Sequence, residues 1–307
     1  MSEPSLLVGI DIGGTGTRFV AVDPGTRAVV ARSSFPTPAQ ASPGRISAFL
    51  RGAVGDLVPS ARLLGVGIGA SGPIDAAGVI QNPDTLPAFT GLPLPAMLEG
   101  LTERPAVIDN DAVCAALGEH AVGAATGAGR SLHVTLGTGI GVCLLQGATP
   151  FRYPDGSHPE AGHLTVSTAS RPCYCGRASC WEQAASRRAL QRTAATLLGR
   201  GPDDRGVLGE LASRARAGQE GARVVFDGYG RAVAEGLASV VTAYGPELVV
   251  LGGSAAAYVD LFGPALLDET ARLVPWVPET VVVASTLDDF GGAVGAAFLA
   301  AVSPDEP

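Results

Sequence analysis

Two glycine-rich stretches, DIGGTGT at 11–17 and LGTGIG at 136–141, constrain the fold of this chain more tightly than any other feature. Each lies between two short β-rich runs: LLVGIDIG (6–13) and TRFVAVD (17–23) around the first, SLHVTLGTG (131–139) and GVCLLQG (141–147) around the second. Short apolar runs broken by Gly and Thr predict strand, tight turn, strand. Glycine at such a tip lets backbone N–H groups wrap an anion, and threonine adds a hydroxyl donor. Taken singly, either loop also reads as an ordinary hairpin; as a pair at equivalent positions, they read as two tips facing each other across a cleft and holding a polyphosphate from both sides. Neither is a Walker A loop, because the lysine of G-x-x-x-x-G-K-[ST] is absent. Neither is a dinucleotide fingerprint, because each joins strand to strand and not strand to helix.

The order of elements around the loops repeats. AVVARSSF (28–35) completes a three-strand meander, and a helix follows in SPGRISAFLRGAVGDLV (42–58), opened by N-cap Ser42 with Pro43 in its first turn. Strands LLGVGIGASG (63–72) and PAVID (105–109) and the helix NDAVCAALGEHA (110–121) complete a β-β-β-α-β-α-β-α unit. The pattern restarts at 131, takes HLTV (163–166) as a third strand, and runs through helices to strand ELVVLGG (247–253), a helix near 258–273, strand TVVVAST (280–286) and helix GGAVGAAFLAAV (291–302). The expectation is an α/β duplication in two lobes around a central cleft. A small lobe spans 1–111, completed by a C-terminal helix at about 291–303, and a larger one spans 112–290. Gly252 and Gly253 mark a strand-to-helix passage, either a plain turn or a close backbone approach suited to a flat adenine ring.

With 307 residues, 46% of them hydrophobic, the chain can bury a core of two-domain size. A formal charge of -8, a pI near 5.0 and the complete lack of lysine leave no electrostatic footprint for nucleic acid or an anionic membrane. No apolar run approaches the ~18 residues of a membrane span, and the N-terminus has no basic flank, so the expected compartment is the cytoplasm. Of five cysteines, Cys114 and Cys143 stand alone in apolar surroundings and read as core residues. The other three, with His163 upstream, give H-x9-C-x-C-x4-C through Cys173, Cys175 and Cys180. Four such ligands within eighteen residues fit one closed tetrahedral Zn2+, which leaves no open position for water and is therefore structural. That site would tie PEAGH to SCWEQ and bring Glu160, His163 and Glu182 together, carboxylates suited to a ligand rich in hydroxyls. At the end of the PAVID strand, Asp109 reads as a helix N-cap, Asn110 as a substrate ligand, and Asp111 as either a general base or a first-turn acid.

The motifs DIGGTGTR, SGPID, DNDAVCAALGE, LGTGIG, PEAGH, CYCGRASCWE and LGG, in this order over nearly the whole chain, resemble the ROK family of sugar kinases and sugar-responsive repressors. The zinc signature C-x-C-G-x-x-x-C-x-E after E-x-G-H is the most specific of them. The resemblance implies a duplicated actin-like (ribonuclease H-like) ATPase fold, and transfer of the γ-phosphoryl of ATP to a hexose, most often at the 6-hydroxyl of glucose. It implies Asp111 as catalytic base and Gly72, Asn110, Glu160, His163 and Glu182 as sugar ligands, with His163 serving zinc through its other ring nitrogen. Asp11 matches the acid that orients Mg2+. Gly13, Gly14, Thr15, Gly137, Thr138 and Gly139 match the phosphate loops, and Gly252 with Gly253 the adenosine region. Family resemblance also favours a homodimer.

Three departures bear on the substrates. Gly16 stands where many ATP-using members carry lysine, a feature shared with polyphosphate-dependent glucokinases. Ser179 replaces the glycine usual before the last zinc cysteine, a change of little cost where φ is negative. Thr85 stands where related glucokinases often have asparagine, so fructose, mannose, allose or an N-acetylhexosamine remains an alternative acceptor. A catalytically silent sugar sensor is the alternative of another class. The repressor branch carries a DNA-reading segment ahead of the DIGGT-like motif, which here begins at Asp11.

Overall fold

Alternation along the first strand decides its two neighbours. Leu6, Val8, Ile10 and Ile12 pack with Ile46, Leu50 and Val54 of a helix on one side, while Leu7 packs with Ala293, Val294 and Ala297 of another helix on the opposite side. The computed structural model describes residues 4–59, 61–169, 171–276 and 280–301. Its elements are β1 (Ser5–Ile12), β2 (Gly16–Val22), β3 (Val29–Pro36), α1 (Pro43–Leu57), β4 (Arg62–Ala70), α2 (Leu94–Thr102), β5 (Ala106–Asn110) and α3 (Asp111–Val122). They continue through β6 (Arg130–Leu136), β7 (Ile140–Gln146), β8 (Thr149–Pro150), α4 (Trp181–Ala185), α5 (Arg187–Leu198), α6 (Val207–Arg216) and α7 (Glu220–Tyr244). The last are β9 (Leu248–Gly252), α8 (Val259–Leu273), β10 (Val281–Ala284) and α9 (Gly291–Leu299).

The two sheets run β3-β2-β1-β4-β5 and β10-β9-β6-β7-β8, so the second repeats the first strand for strand. In the first, β1 pairs antiparallel with β2 and parallel with β4; in the second, β6 pairs parallel with β9, and β9 with β10. The repeat expected from the glycine loops is therefore present in the topology. One member differs. HLTV contributes no sheet strand: a 3-10 turn covers Ala161–His163, and the next residues bond to the cysteine loop through Trp181 N–H to Leu164 O (2.8 Å) and Val166 N–H to Ser179 O (2.8 Å). The place of β3 is taken in the second sheet by the two-residue β8, past which Phe151 N–H still donates to Leu144 O (2.8 Å).

Internal packing defines two compact units: Met1–Gly129 with Cys143–His158 and Thr286–Pro307, and Arg130–Val142 with Pro159–Ser285. The first unit thus runs past Asp111, where the sequence reading cut the chain, because α3 packs backbone to backbone on α9. A Cβ on Gly295 would overlap the Cys114 carbonyl, and one on Gly67 of β4 would overlap that of Ala296. Glycine in GVGIG and GGAVG is thereby a packing requirement: α9 lies on the sheet and on α3 at a distance no side chain permits. Residues 302 and 303 of the expected C-terminal helix lie outside the described residues. In the second unit, α7 and α8 pack through Gly230, and α4 buries Trp181 on Gly236, its Nε1–H donating to Ala232 O (3.0 Å). No described helix is long and apolar enough to cross a membrane.

Candidate active site

In the first unit, the turn between β1 and β2 closes with Gly13 N–H to Gly16 O (3.1 Å). Thr37, just past β3, braces it: its hydroxyl donates to Gly13 O (2.5 Å) and its N–H to Thr15 O (3.3 Å). Thr37 escaped the sequence reading because its role depends on the β2–β3 pairing. At the end of β1, on the face turned to α9, stands Asp11, its side chain 17% exposed. Burial, followed by repulsion from the Asp111 carboxylate, pushes its pKa up to about 7, against the opposing pull of Arg18. Asp11 and Asp111 are thus brought into electrostatic contact.

Asp111 opens α3, and the N-cap is Asn110, whose Oδ1 accepts from Ala112 N–H (2.8 Å). The capping role expected of Asp109 is therefore Asn110's, because β5 continues one residue further than its apolar run. Asp109 is buried and paired with Arg152, a partner 43 positions away that no local pattern announces. Gly72 adopts φ 96°, and a Cβ there would overlap Asn82. Asn82 is itself fully engaged in the loop: its amide donates to Ser71 O (3.0 Å) and its carbonyl accepts from Thr85 N–H (3.2 Å). A second buried acid, Glu119 on α3, accepts from Ala124 N–H (2.7 Å) and Leu287 N–H (3.2 Å), fastening the lead-in to α9.

In the second unit, the turn between β6 and β7 closes with Gly137 N–H to Gly139 O (3.0 Å), and Arg187 N–H donates to Gly137 O (2.9 Å). Glu182 reaches this turn. Its Oε2 accepts from Ile140 N–H (3.2 Å), and a Cβ on Gly139 would overlap the carboxylate. Burial raises the Glu182 pKa. Thr138 is exposed at the tip. Gly253, at φ 78°, lies against the Leu136 backbone and carries the chain from β9 past the root of the same turn, with Gly252 in the last position of that strand. Glu160 precedes the 3-10 turn and is exposed.

The ligand atoms of His163, Cys173, Cys175 and Cys180 all lie within 4.8 Å of one another. The Cys175 and Cys180 sulfurs are 3.6 Å apart, and Cys173 Sγ is 3.5 Å from His163 Nδ1. A tetrahedral zinc with Zn–S of about 2.3 Å has S···S edges of about 3.8 Å, so the donor set fits this metal. His163 Nε2 meets the hydroxyl of Tyr174 at 3.2 Å, with the rings edge-on. Tyr174, unremarked between two ligands, thus shares the nitrogen assigned to a sugar. Ser179 has φ 64°, so the negative φ on which its low cost depended is not what the loop adopts. The chain bends there between Ala178, which bridges to Pro172, and Cys180, which bridges to Thr165. Cys114 and Cys143 are buried core thiols, Cys143 pushed up to about 12 by burial.

A duplicated 3-2-1-4-5 sheet, with a glycine turn after the first strand of each copy, is the architecture of the actin-like ATPases. The ROK family profile matches residues 7–302, and the chain belongs to that family. It is 32% identical to a glucokinase of Streptomyces coelicolor over 96% of this chain and 97% of that one. Among solved structures it is similar to a ROK hexokinase from Thermus thermophilus (TM-score 0.84, 33% identity, 96% of this chain and 98% of that one). It is also similar to a ROK family glucokinase from Streptomyces griseus in complex with glucose and AMPPNP (TM-score 0.79, 30% identity, 96% and 99%).

Proposed function

We propose that this chain is a sugar kinase that transfers the γ-phosphoryl group of ATP to a hexose, with the 6-hydroxyl of glucose as the acceptor. The observation that carries this reading is similarity to glucokinases over nearly the full length of both chains; Asp111 at the head of α3, the two glycine turns and the Cys3His set support it. Phosphoryl transfer asks the protein chiefly to position reactants and to stabilise spread-out charge. Asp111 takes the proton of the attacking hydroxyl on a carboxylate oxygen as the sugar oxygen bonds to phosphorus and the bond to the ADP oxygen breaks. Asn110, Gly72, Glu160, His163 and Glu182 hold the sugar, and a hydroxyl on His163 Nε2 displaces that of Tyr174. Gly13, Gly14 and Thr15, and Gly137, Thr138 and Gly139, form the turns that hold the phosphates, the N–H groups of Gly13 and Gly137 closing those turns, while Gly252 and Gly253 leave room for adenosine.

Two metals belong to this reading. Asp11, a hard oxygen donor beside a second carboxylate, suits Mg2+, which supplies charge neutralisation on the phosphates. The Cys3His set suits zinc, held away from the chemistry as a clamp on the loops carrying Glu160 and Glu182. The reduced cysteine set agrees with a cytoplasmic enzyme, and the resemblance to ROK kinases with a homodimer.

The test is ADP release with Mg·ATP across glucose, mannose, fructose, allose and N-acetylhexosamines, with sugar phosphate followed directly when polyphosphate replaces ATP. Strong glucose-dependent turnover is the expected result. Sugar binding without turnover from any donor would replace the kinase with a sensor.

A further inference from the structure

Among the described residues no large apolar side chain is more exposed than Tyr174, at 80%, and it stands in the loop between the acids assigned to the sugar, Glu160 and Glu182. Local structure does not ask for an aromatic residue there. The hairpin closes through Cys173 N–H to Arg177 O (2.8 Å) and Gly176 N–H to Cys173 O (3.0 Å), bonds to which Tyr174 lends neither partner. The ring is nevertheless held in place. Its hydroxyl meets His163 Nε2 at 3.2 Å, it lies edge-on to the imidazole with centroids 5.3 Å apart, and its neighbours Cys173 and Cys175 both belong to the Cys3His set. Desolvation at the hydroxyl, then the Glu182 and Glu160 carboxylates, raise its pKa, so this oxygen lies within electrostatic reach of both acids as well as against His163. Those three side chains offer a sugar only charge and hydrogen bonds. A hexose also presents C–H faces, and ligand sites combine a few placed polar groups with aromatic walls.

We propose that Tyr174 is a sugar-contact and specificity residue: its hydroxyl keeps the place of a sugar hydroxyl on His163 Nε2 until the sugar arrives, and its ring is the apolar wall against which a C–H face of the hexose then lies. This deepens the kinase reading and rests on it. A neutral hydrogen bond at the end of an exposed ring is exchanged at little cost, and covering that ring with sugar removes apolar area from water. The wall also chooses among epimers. In the chair of β-glucopyranose every hydroxyl is equatorial, which leaves both faces to C–H, whereas mannose turns its 2-hydroxyl onto one face and allose its 3-hydroxyl onto the other. A wall on one side rejects only one of the two.

Calorimetry of glucose, mannose, allose and Mg·AMPPNP binding to the full-length zinc-loaded protein tests this, with zinc content measured for every variant. Tyr174→Ala should raise the glucose Kd about 5- to 30-fold, the worth of the ring area covered, while the Kd for Mg·AMPPNP stays within about twofold. Tyr174→Phe keeps the wall and drops the competing hydroxyl, so its glucose Kd should match that of the wild type or fall about 2- to 10-fold. Wild-type protein should separate mannose from allose, and Tyr174→Ala should shrink that ratio. An unchanged or lower glucose Kd in Tyr174→Ala would overturn the proposal, and an unchanged ratio would strike the specificity role. A loss in Tyr174→Phe equal to that in the alanine variant would assign the effect to the hydroxyl and overturn the wall. Should the alanine variant hold less than one zinc per chain, Tyr174→Gln, of comparable reach and without a ring, takes its place. Wild-type protein that binds no hexose at all would instead sink the kinase reading itself.

Discussion

Ser179 and Asp11 each show a residue bearing a cost set by its neighbours. Ser179 sits in the left-handed region, where an L side chain loses roughly 1 kcal/mol, and its hydroxyl recovers part of that by donating to Ala169 O (3.2 Å). Ser179→Gly should raise stability by about 0.5–1 kcal/mol in the zinc-loaded protein, read from the denaturation midpoint. Asp11 makes a pH prediction. Its folded pKa of about 7 exceeds the ordinary 3.8, so in that window the folded state keeps a proton that the unfolded chain has lost. The contribution of this group to stability is full at low pH and is lost as pH rises to about 7. In metal-free buffer, Asp11→Asn should therefore gain on wild type in melting temperature as pH is raised from about 5 to about 8. Equal pH slopes for the two proteins would refute the assignment. Asp111→Asn belongs at this scale too: it should abolish most sugar-dependent turnover, by about 100-fold or more, with glucose binding retained.

At the scale of elements, the contact between α3 and α9 carries the first unit, and it works through absent side chains and one buried acid. Gly295 on Cys114 and Gly67 on Ala296 let the helix backbone touch its neighbours, so any added methyl must push α9 away. Gly295→Ala should cost about 2–3 kcal/mol, measured by chemical denaturation. Glu119 satisfies the N–H groups of Ala124 and Leu287 at once, and Thr286 Oγ1 lies 3.4 Å from it. Glu119→Ala would orphan both half-buried donors and should destabilise by about 1–3 kcal/mol. Its effect on melting should exceed that of losing the exposed Arg32–Asp288 pair, which is worth about 1 kcal/mol or less.

For the molecule as a whole, the repeated sheet order accounts for the two glycine turns falling at equivalent places: each follows the first strand of its copy, β1 and β6. The copies differ in what stiffens them. The first unit relies on α9 lying on its sheet, whereas the second carries a cysteine loop whose ladder is two isolated bridges, Thr165 with Cys180 and Pro172 with Ala178. On the zinc reading proposed above, so sparse a ladder depends on the metal for its stiffness. Chelation, or Cys175→Ser, should remove one zinc per chain, lower the melting temperature and expose the loop to proteolysis, with Trp181 fluorescence as reporter of the buried anchor beside Cys180. Unchanged metal content in Cys175→Ser would overturn the ligand assignment.

The sequence by itself determined what is local. Strand alternation in LLVGIDIG, the glycine turns, the zinc spacing and the position of Asp111 ahead of an apolar helix all follow from residues a few positions apart, where backbone preference and ligand spacing act directly. HLTV shows the limit, since its strand-like composition gave way to hydrogen bonds with the cysteine loop. Only the tertiary structure decided that Asn110 caps α3 while Asp109 pairs with Arg152, that Tyr174 meets His163, that Glu182 braces Gly139 and Ile140, and that Arg18 pairs with Asp289. Arg18 and Asp289 are 271 positions apart. Whether a charged side chain caps, pairs or faces solvent depends on which distant group folding sets beside it, and no pattern along the chain encodes that distance.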